Sequence, residues 1–145
     1  MLKKEPFSLK KRIQSFRYAF QGIVTLFRDE HNARIHLFVF ILVCIAGLLL
    51  KINLSEWMIL LLVSGVVFAL ELVNTALENL CDFVSPQFQK QIKKAKDTAA
   101  AAVLVSAITA VVLGFMVFIP KLYVLISSFT RDFSNFKQVN QTQWK

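Results

Sequence analysis

The chain has 145 residues, enough for one domain, and 56% of them are hydrophobic. The mean hydropathy of +0.56 is too high for an ordinary soluble domain of this size and indicates an integral membrane protein. The net charge of +8 could indicate nucleic-acid binding, but the basic residues flank apolar blocks, which favours anionic headgroups and nucleotide phosphates as partners instead.

The N-terminal part predicts a helix that lies on the membrane surface. Between residues 7 and 27, apolar side chains recur at spacings of three and four and alternate with basic and amide side chains. This pattern is typical of an amphipathic helix in the membrane interface. No signal peptide is expected, because the first long apolar block begins only near Ile35. Cys44 and Cys81 lack ligand spacing, so neither a disulfide framework nor a zinc site is expected.

Three apolar blocks predict transmembrane helices at about residues 33–50, 56–82 and 98–119. Ser55 resembles the N-cap of the second span, and Ser85-Pro86 ends that span. Residues 87–96 resemble a soluble loop, and Pro120 is expected to stop the third span. The predicted fold is therefore an all-α bundle with a surface helix and three spans over residues 1–120. Residues 121–145 form a C-terminal extension to which the sequence gives no function.

Basic residues predict the orientation of the chain. They concentrate before the first span and in the loop between the second and third spans, whereas the first connection holds only Lys51. By the positive-inside rule, the N-terminus and the second loop are cytoplasmic and the C-terminus is outside. Polar residues at those positions would then face ATP.

The second span carries the main functional signal of the sequence. At about 100° per residue, one arc of this helix contains five polar side chains, namely Glu71, Asn74, Thr75, Glu78 and Asp82. Carboxylates within a membrane are costly and usually face a bundle interior or a polar cavity. Such a set of oxygens predicts a Mg²⁺ site, and Mg²⁺ usually binds together with phosphates. The alternative is that these groups only pair with Lys or Arg of a neighbouring helix.

These residue types fit phosphoryl transfer, which needs cations, Mg²⁺ carboxylates and a group to accept the proton of the nucleophile. Glu30 and Glu78 could hold Mg²⁺ with ATP. Glu71, about two turns deeper, could act as general base on a hydroxyl at headgroup depth. The phosphates could be bound by four basic residues, Lys11, Arg12, Lys94 and Lys96. The chain has no Gly-rich phosphate loop, so a nucleotide site would have to be built from helix faces between subunits.

Three segments of the chain resemble the prokaryotic diacylglycerol kinase family, which includes the undecaprenol kinases. The resemblance covers about residues 12–120 and rests on Glu71-Leu72-Val73-Asn74-Thr75-Ala76-Leu77-Glu78, on Ala95-Lys96-Asp97, and on Glu30 followed by Arg34. It implies an ATP- and Mg²⁺-dependent lipid kinase in a bacterial inner membrane. It also implies a homotrimer with active sites shared between subunits.

The resemblance also implies roles for single residues. Glu71 matches the catalytic base, and Glu30 and Glu78 match the metal and ATP carboxylates. The nucleotide contacts match Tyr18, Lys96 and Asp97, and a phosphate-binding Arg falls on or beside Lys11 and Arg12. Asn74 matches the neighbouring site amide. We expect Arg34, Asn74 and Asp82 to be supporting or substrate-binding positions.

Two acceptors remain open at this point. Two segments resemble the undecaprenol branch of the family, namely Arg34-Ile35-His36-Leu37 and Val84-Ser85-Pro86. Resemblance to the diacylglycerol branch would imply an acidic residue where this chain has His36. We therefore favour undecaprenol over diacylglycerol. His36 could equally be a polar helix residue without a substrate role. A non-catalytic oligomer such as a cation channel is the alternative from another class, but no polar stripe runs through the first or third span.

Overall fold

The computed structural model describes residues 8–85, 87 and 89–142, and only the backbone of residues 132, 134–136 and 138–142. Four α-helices account for this part of the chain: α1 (Leu9–Asp29), α2 (His31–Leu49), α3 (Leu54–Val84) and α4 (Lys90–Thr142). The described ranges contain no strand. Helices α2, α3 and α4 are long and apolar enough to cross a membrane. The predicted all-α membrane fold, a surface helix followed by three spans, is confirmed.

Helix α1 has the two-sided pattern that the sequence predicted, although Phe7, its predicted first residue, lies outside the described residues. Its C-terminal turns are anchored by Leu26, which is 2% exposed, and by an edge-to-face contact between Phe27 and Phe68 at 5.9 Å. The other apolar side chains of α1 are exposed, namely Leu9, Ile13, Phe16, Phe20, Ile23 and Val24. An uncovered apolar face of this kind suits a helix lying in the membrane interface.

The chain forms two compact units, and α2, α3 and α4 each contribute to both. One unit combines the N-terminal residues up to Phe38 with Phe68–Val103, and the other combines Val39–Val67 with the chain from Leu104 onwards. In the second unit, Ile52, Leu60 and Val117 form a buried core. The partly buried side chains of Val43, Leu50, Trp57 and Phe118 pack against it.

The connection from α2 to α3 is closed by two local motifs. Helix α2 ends in a Schellman arrangement: Ile52 N–H donates to Gly47 O at 3.1 Å, and Lys51 N–H donates to Leu48 O at 3.3 Å. Lys51 has φ +49°, in the left-handed region that usually favours glycine.

The N-cap of α3 is Asn53 rather than Ser55. Asn53 Oδ1 accepts from Glu56 N–H at 2.9 Å, and Asn53 N–H donates to Glu56 Oε2 at 2.7 Å, which forms a capping box. The prediction of Ser55 was wrong because Glu56 lies three residues after Asn53, the spacing that a capping box needs. Glu56 also pairs with Lys121 at 3.2 Å, which ties the start of α3 to α4.

Helix α4 differs most from the prediction. It begins at Lys90 rather than near Thr98, and it continues through Pro120 to Thr142. The prediction treated the edges of the apolar block as helix ends, but Lys, Gln and Ala are good helix formers outside the membrane as well. Pro120 removes one backbone donor and did not end the helix as expected. A 53-residue helix is about 80 Å long, so part of α4 must lie outside a hydrocarbon core of about 30 Å.

The sequence around residues 121–131 also favours continuation of α4. The hydroxyls of Ser127, Ser128 and Thr130 donate to the carbonyls of Val124, Leu125 and Ile126, so they are satisfied within the helix. The division between a membrane domain ending at residue 120 and a separate extension stays a prediction, and residues 143–145 lie outside the described residues.

The packing around Gly47 gives a stability prediction. A Cβ atom at Gly47 would lie 2.9 Å from the Trp57 ring and 3.0 Å from Ile52 Cδ1, closer than side chains normally pack. We expect Gly47→Ala to destabilise the protein by about 1–3 kcal/mol through overpacking. Thermal unfolding in one detergent measures this effect. Gly22→Ala is the matched control, because its Cβ would meet nothing within 4 Å. Equal melting temperatures for both variants would contradict the prediction.

Candidate active site on the acidic face of α3

Three consecutive polar positions of the α3 face are buried. Glu71 is 2% exposed, and Asn74 and Thr75 are each 7% exposed. Among the residues that the structure describes, the oxygen atoms Glu71 Oε1, Asn74 Oδ1 and Thr75 Oγ1 have no hydrogen-bond partner. A buried oxygen without a partner costs free energy, so three together on one face indicate a place where a ligand supplies the missing contacts.

Glu30 joins this face from a sharp corner of the chain. It is the single residue between α1 and α2, with extended dihedrals of φ −99° and ψ 120°, and its N–H donates to Leu26 O at 2.9 Å. The charge of Glu30 acts on Glu71. The charge of Glu78, which lies about two turns further along α3, acts on Glu71 as well. Three predicted carboxylates, Glu30, Glu71 and Glu78, are therefore electrostatically coupled through Glu71, and we call them the carboxylate cluster.

Asp29, the neighbour of Glu30, takes no part in this cluster. The Arg28 guanidinium donates to both of its carboxylate oxygens, at 2.8 and 3.2 Å. This hydrogen bonding holds the pKa of Asp29 below its ordinary value and raises that of Arg28. Two adjacent carboxylates thus have different surroundings, and Glu30 is the one whose charge acts on Glu71.

His36 is a neighbour of Glu71 to which the sequence gave no definite role. Its Nε2 lies 3.4 Å from Glu71 Oε1, and its side chain is 24% exposed. The contact joins α2 to the buried face of α3. A histidine within an otherwise apolar span was the available signal, since polar side chains in spans usually face a partner. The contact itself depends on how α2 packs on α3, which periodicity within one helix does not give.

Asn74 is oriented by Glu78, the residue one turn further along α3. Asn74 Nδ2 donates to Glu78 Oε1 at 3.1 Å. With its amide group used in this way, Asn74 presents its carbonyl oxygen, one of the three unpartnered atoms. The pair therefore presents oxygen atoms, the ligands that Mg²⁺ prefers.

The predicted nucleotide contacts on α4 are engaged in ion pairs. Lys96 Nζ donates to both carboxylate oxygens of Asp82, at 2.9 and 3.1 Å. Lys93 pairs with Asp97 at 3.1 Å along one face of α4. Asp82 therefore pairs with a Lys of a neighbouring helix, which was the alternative to metal binding for the polar residues of α3. The charge of Glu78, a member of the carboxylate cluster, also acts on Lys96.

The predicted contacts on α1 and α2 lie on exposed surface. Lys11, Arg12, Tyr18 and Arg34 are all exposed. Tyr18 accepts a hydrogen bond from Gln14 Nε2 at 2.8 Å. Their roles toward a nucleotide or a substrate stay predictions.

An open groove of about 560 Å³ runs between α3 and α4 beside Asn74. Most of its wall is apolar, with polar side chains from Asn74, Gln91, Lys94 and Thr98. The remaining lining residues are Leu70, Val73, Leu77, Ala95, Ala99 and Ala102. A groove with this mixture can hold a ligand that is apolar over most of its length.

The acidic face of α3 offers oxygen ligands for a metal ion. Within residues 8–85, 87 and 89–142, no three His, Cys, Asp or Glu side chains stand close enough to form a complete protein site. Mg²⁺ does not need one, because it is usually held by one or two carboxylates together with phosphate oxygens and water. The carboxylates and the unpartnered oxygens of this face fit that kind of binding.

These features define a class, a small helical membrane protein with an acidic site at the buried face of a span. A family model for prokaryotic diacylglycerol kinase matches residues 17–118. The chain belongs to the prokaryotic diacylglycerol kinase family, and it is therefore a lipid kinase.

Individual relatives carry two different acceptor names. The chain is 39% identical to the undecaprenol kinase of Bacillus subtilis over 114 residues, which cover 79% of this chain and 93% of the relative. It is 42% identical to a diacylglycerol kinase of Synechocystis over 77% of this chain and 65% of the relative. A diacylglycerol kinase of Helicobacter pylori is 32% identical over 68% of this chain and 77% of the relative.

Proposed function

We propose that this lipid kinase transfers the γ-phosphoryl group of ATP to undecaprenol, with Mg²⁺ as cofactor. The observation that carries the proposal is the buried Glu71 carboxylate, whose Oε1 has no hydrogen-bond partner among the described residues and on which the charges of Glu30 and Glu78 act. A substrate hydroxyl is a hydrogen-bond donor, which a carboxylate removed from water needs. The diacylglycerol names among the relatives make phosphatidic acid formation the second candidate.

In the proposed reaction, Glu71 accepts the proton of the lipid hydroxyl. The hydroxyl oxygen then forms a bond to the γ-phosphorus, the bond from that phosphorus to the bridging oxygen breaks, and ADP leaves with the electron pair. Glu30 and Glu78 would hold Mg²⁺, which when bound neutralises charge on the phosphates. Asn74, held by Glu78, would keep its carbonyl oxygen aimed at the site.

The phosphates need cations, and we assign these to Lys96, Lys11 and Arg12, with Tyr18 and Asp97 as further nucleotide contacts. Lys96 supports this assignment because Asp82 holds it within reach of the charge of Glu78. Asp82 is then a supporting residue that positions Lys96. Arg34, exposed on α2 four residues after Glu30, is proposed to contact a headgroup or a phosphate.

We also propose a homotrimer in a bacterial inner membrane, with the N-terminus and the α3–α4 connection cytoplasmic and the C-terminus outside. The uneven distribution of basic residues supports the orientation. Oligomerisation is supported by the open groove beside Asn74 and by the absence of a Gly-rich phosphate loop from the sequence. A second subunit could supply further walls for a nucleotide site. The cation-channel alternative has no support beyond the carboxylates themselves, which membership of a kinase family explains.

The acceptor is tested by competition. Purified protein in one detergent receives ATP, Mg²⁺ and equal amounts of undecaprenol and diacylglycerol, and the phosphorylated lipids are separated and identified. We expect undecaprenyl phosphate to predominate, because the undecaprenol kinase match covers nearly the whole length of that relative. Predominant phosphatidic acid would establish the second candidate in its place.

The role of the base is tested with Glu71→Gln. The amide keeps the size of the side chain but does not accept the hydroxyl proton, so we expect kcat to fall by about 10²-fold or more. ATP binding, measured by equilibrium dialysis, should change little. Asp29→Asn is the matched control, because Asp29 is an exposed carboxylate paired with Arg28. A Glu71→Gln enzyme with near-normal kcat would remove Glu71 as the base.

Metal binding is tested with Glu78→Gln. Losing one carboxylate weakens a site that holds Mg²⁺ through only one or two protein ligands, so the Mg²⁺ concentration for half-maximal activity should rise about tenfold or more. The measurement is a Mg²⁺ titration at saturating ATP and lipid, with Asp29→Asn again as control. A titration curve that superimposes on that of the wild type would exclude Glu78 as a ligand.

A further inference from the structure

Glu71 has a neighbour that the proposed reaction does not use. Among the polar groups that act on Glu71 are His36 from α2, Glu30 from the corner between α1 and α2, and Glu78 from α3 itself. Two of these three are carboxylates, and His36 is the only one of the three that can donate a hydrogen bond. Its Nε2 is 3.4 Å from Glu71 Oε1, an oxygen that has no hydrogen-bond partner among the residues that the structure describes.

His36 Nε2 and Glu71 Oε1 lie slightly farther apart than a hydrogen bond normally requires. An N–H···O bond has a donor–acceptor distance of about 2.7–3.2 Å, so a small rotation of either side chain would close the gap. Glu71 is on α3 and His36 is on α2, so the bond would fix the carboxylate from a second helix. A buried carboxylate held at one oxygen leaves the other oxygen in a defined direction, toward the proton that it accepts.

The geometry points to His36 as a positioning residue for Glu71. In this arrangement the imidazole donates from Nε2 to Glu71 Oε1 and fixes the rotamer in which Glu71 receives the lipid hydroxyl proton. The inference rests on the proposed role of Glu71 as base. It gives a function to a side chain that is otherwise an isolated polar group within an apolar span.

The contact is tested without any activity measurement. The chain has two histidines, His36 and the exposed His31 at the start of α2, so ¹⁵N-histidine labelling gives two imidazoles, one of which is an internal control. We expect Glu71→Gln to change the ¹⁵N shifts and the tautomer of His36 and to leave those of His31 in place. His36 resonances that are identical in wild type and Glu71→Gln would overturn the inference.

The effect on the reaction is tested with two substitutions at position 36. His36→Leu fills similar space without a donor, and we expect kcat to fall about tenfold while KM for ATP stays constant. His36→Gln keeps an N–H donor and should restore much of the lost rate, which a purely packing role would not predict. An unchanged kcat for His36→Leu, or an equal loss for Leu and Gln, would overturn the positioning role.

A double variant separates this inference from the proposed function. If His36 acts through Glu71, adding His36→Leu to Glu71→Gln should cause no further loss of kcat. A further tenfold loss in the double variant would show that His36 acts elsewhere and would overturn the inference while leaving Glu71 as base. If Glu71→Gln alone retains near-normal kcat, the proposed function of Glu71 fails, and the positioning role fails with it.

Discussion

The burial of the Glu71 carboxylate within a membrane helix is the constraint on which the functional unit depends. A carboxylate removed from water is tolerated only where other groups replace its solvation. In the described part of the chain, Glu71 Oε1 has no hydrogen-bond partner and lies 3.4 Å from Nε2 of the His36 imidazole. Packing of the neighbouring helices holds the Glu71 carboxylate in this buried position. Ala33 is fully buried on α2, and Phe27 packs edge-on against Phe68 of α3, which holds the end of α1 in place. Because α1 ends there, Glu30 falls at the corner where its charge acts on Glu71.

The other unit is organised by backbone motifs rather than by charge. Gly47 lets the Trp57 ring lie against α2, and the Schellman ending brings Ile52 into the core with Leu60 and Val117. The capping box between Asn53 and Glu56 starts α3 immediately after this turn. Glu56 then pairs with Lys121, so one carboxylate contributes both to a helix start and to a contact between helices. A connection this short leaves little freedom in how α2 and α3 are joined.

The sequence predicted those parts of the molecule that depend on periodicity within one helix. The acidic face of α3 follows from the spacing of Glu71, Asn74, Thr75 and Glu78, and the structure buries the first three. What it did not predict depends on competition between local rules or on packing between helices. Asn53 rather than Ser55 caps α3 because Glu56 completes its box. Helix α4 continues through Pro120, where a rule based on one residue predicted a stop. The contact of His36 with Glu71 joins two helices, so no pattern within either helix encodes it.

The ion pair between Lys96 and Asp82 bears on how the proposed nucleotide site would work. Both side chains are substantially exposed, at 33% and 68%, and exposed pairs of this kind are weak because water and salt screen them. A phosphate group carries more negative charge than one carboxylate, so it can draw Lys96 away from Asp82 at little cost. Until then, Asp82 keeps the Lys96 ammonium near Glu78 instead of leaving a long side chain free to sample solvent. The ion pair between Lys96 and Asp82 is thus compatible with a role of Lys96 in phosphate binding. It keeps the ammonium group available to the phosphates that the carboxylates would bind through Mg²⁺.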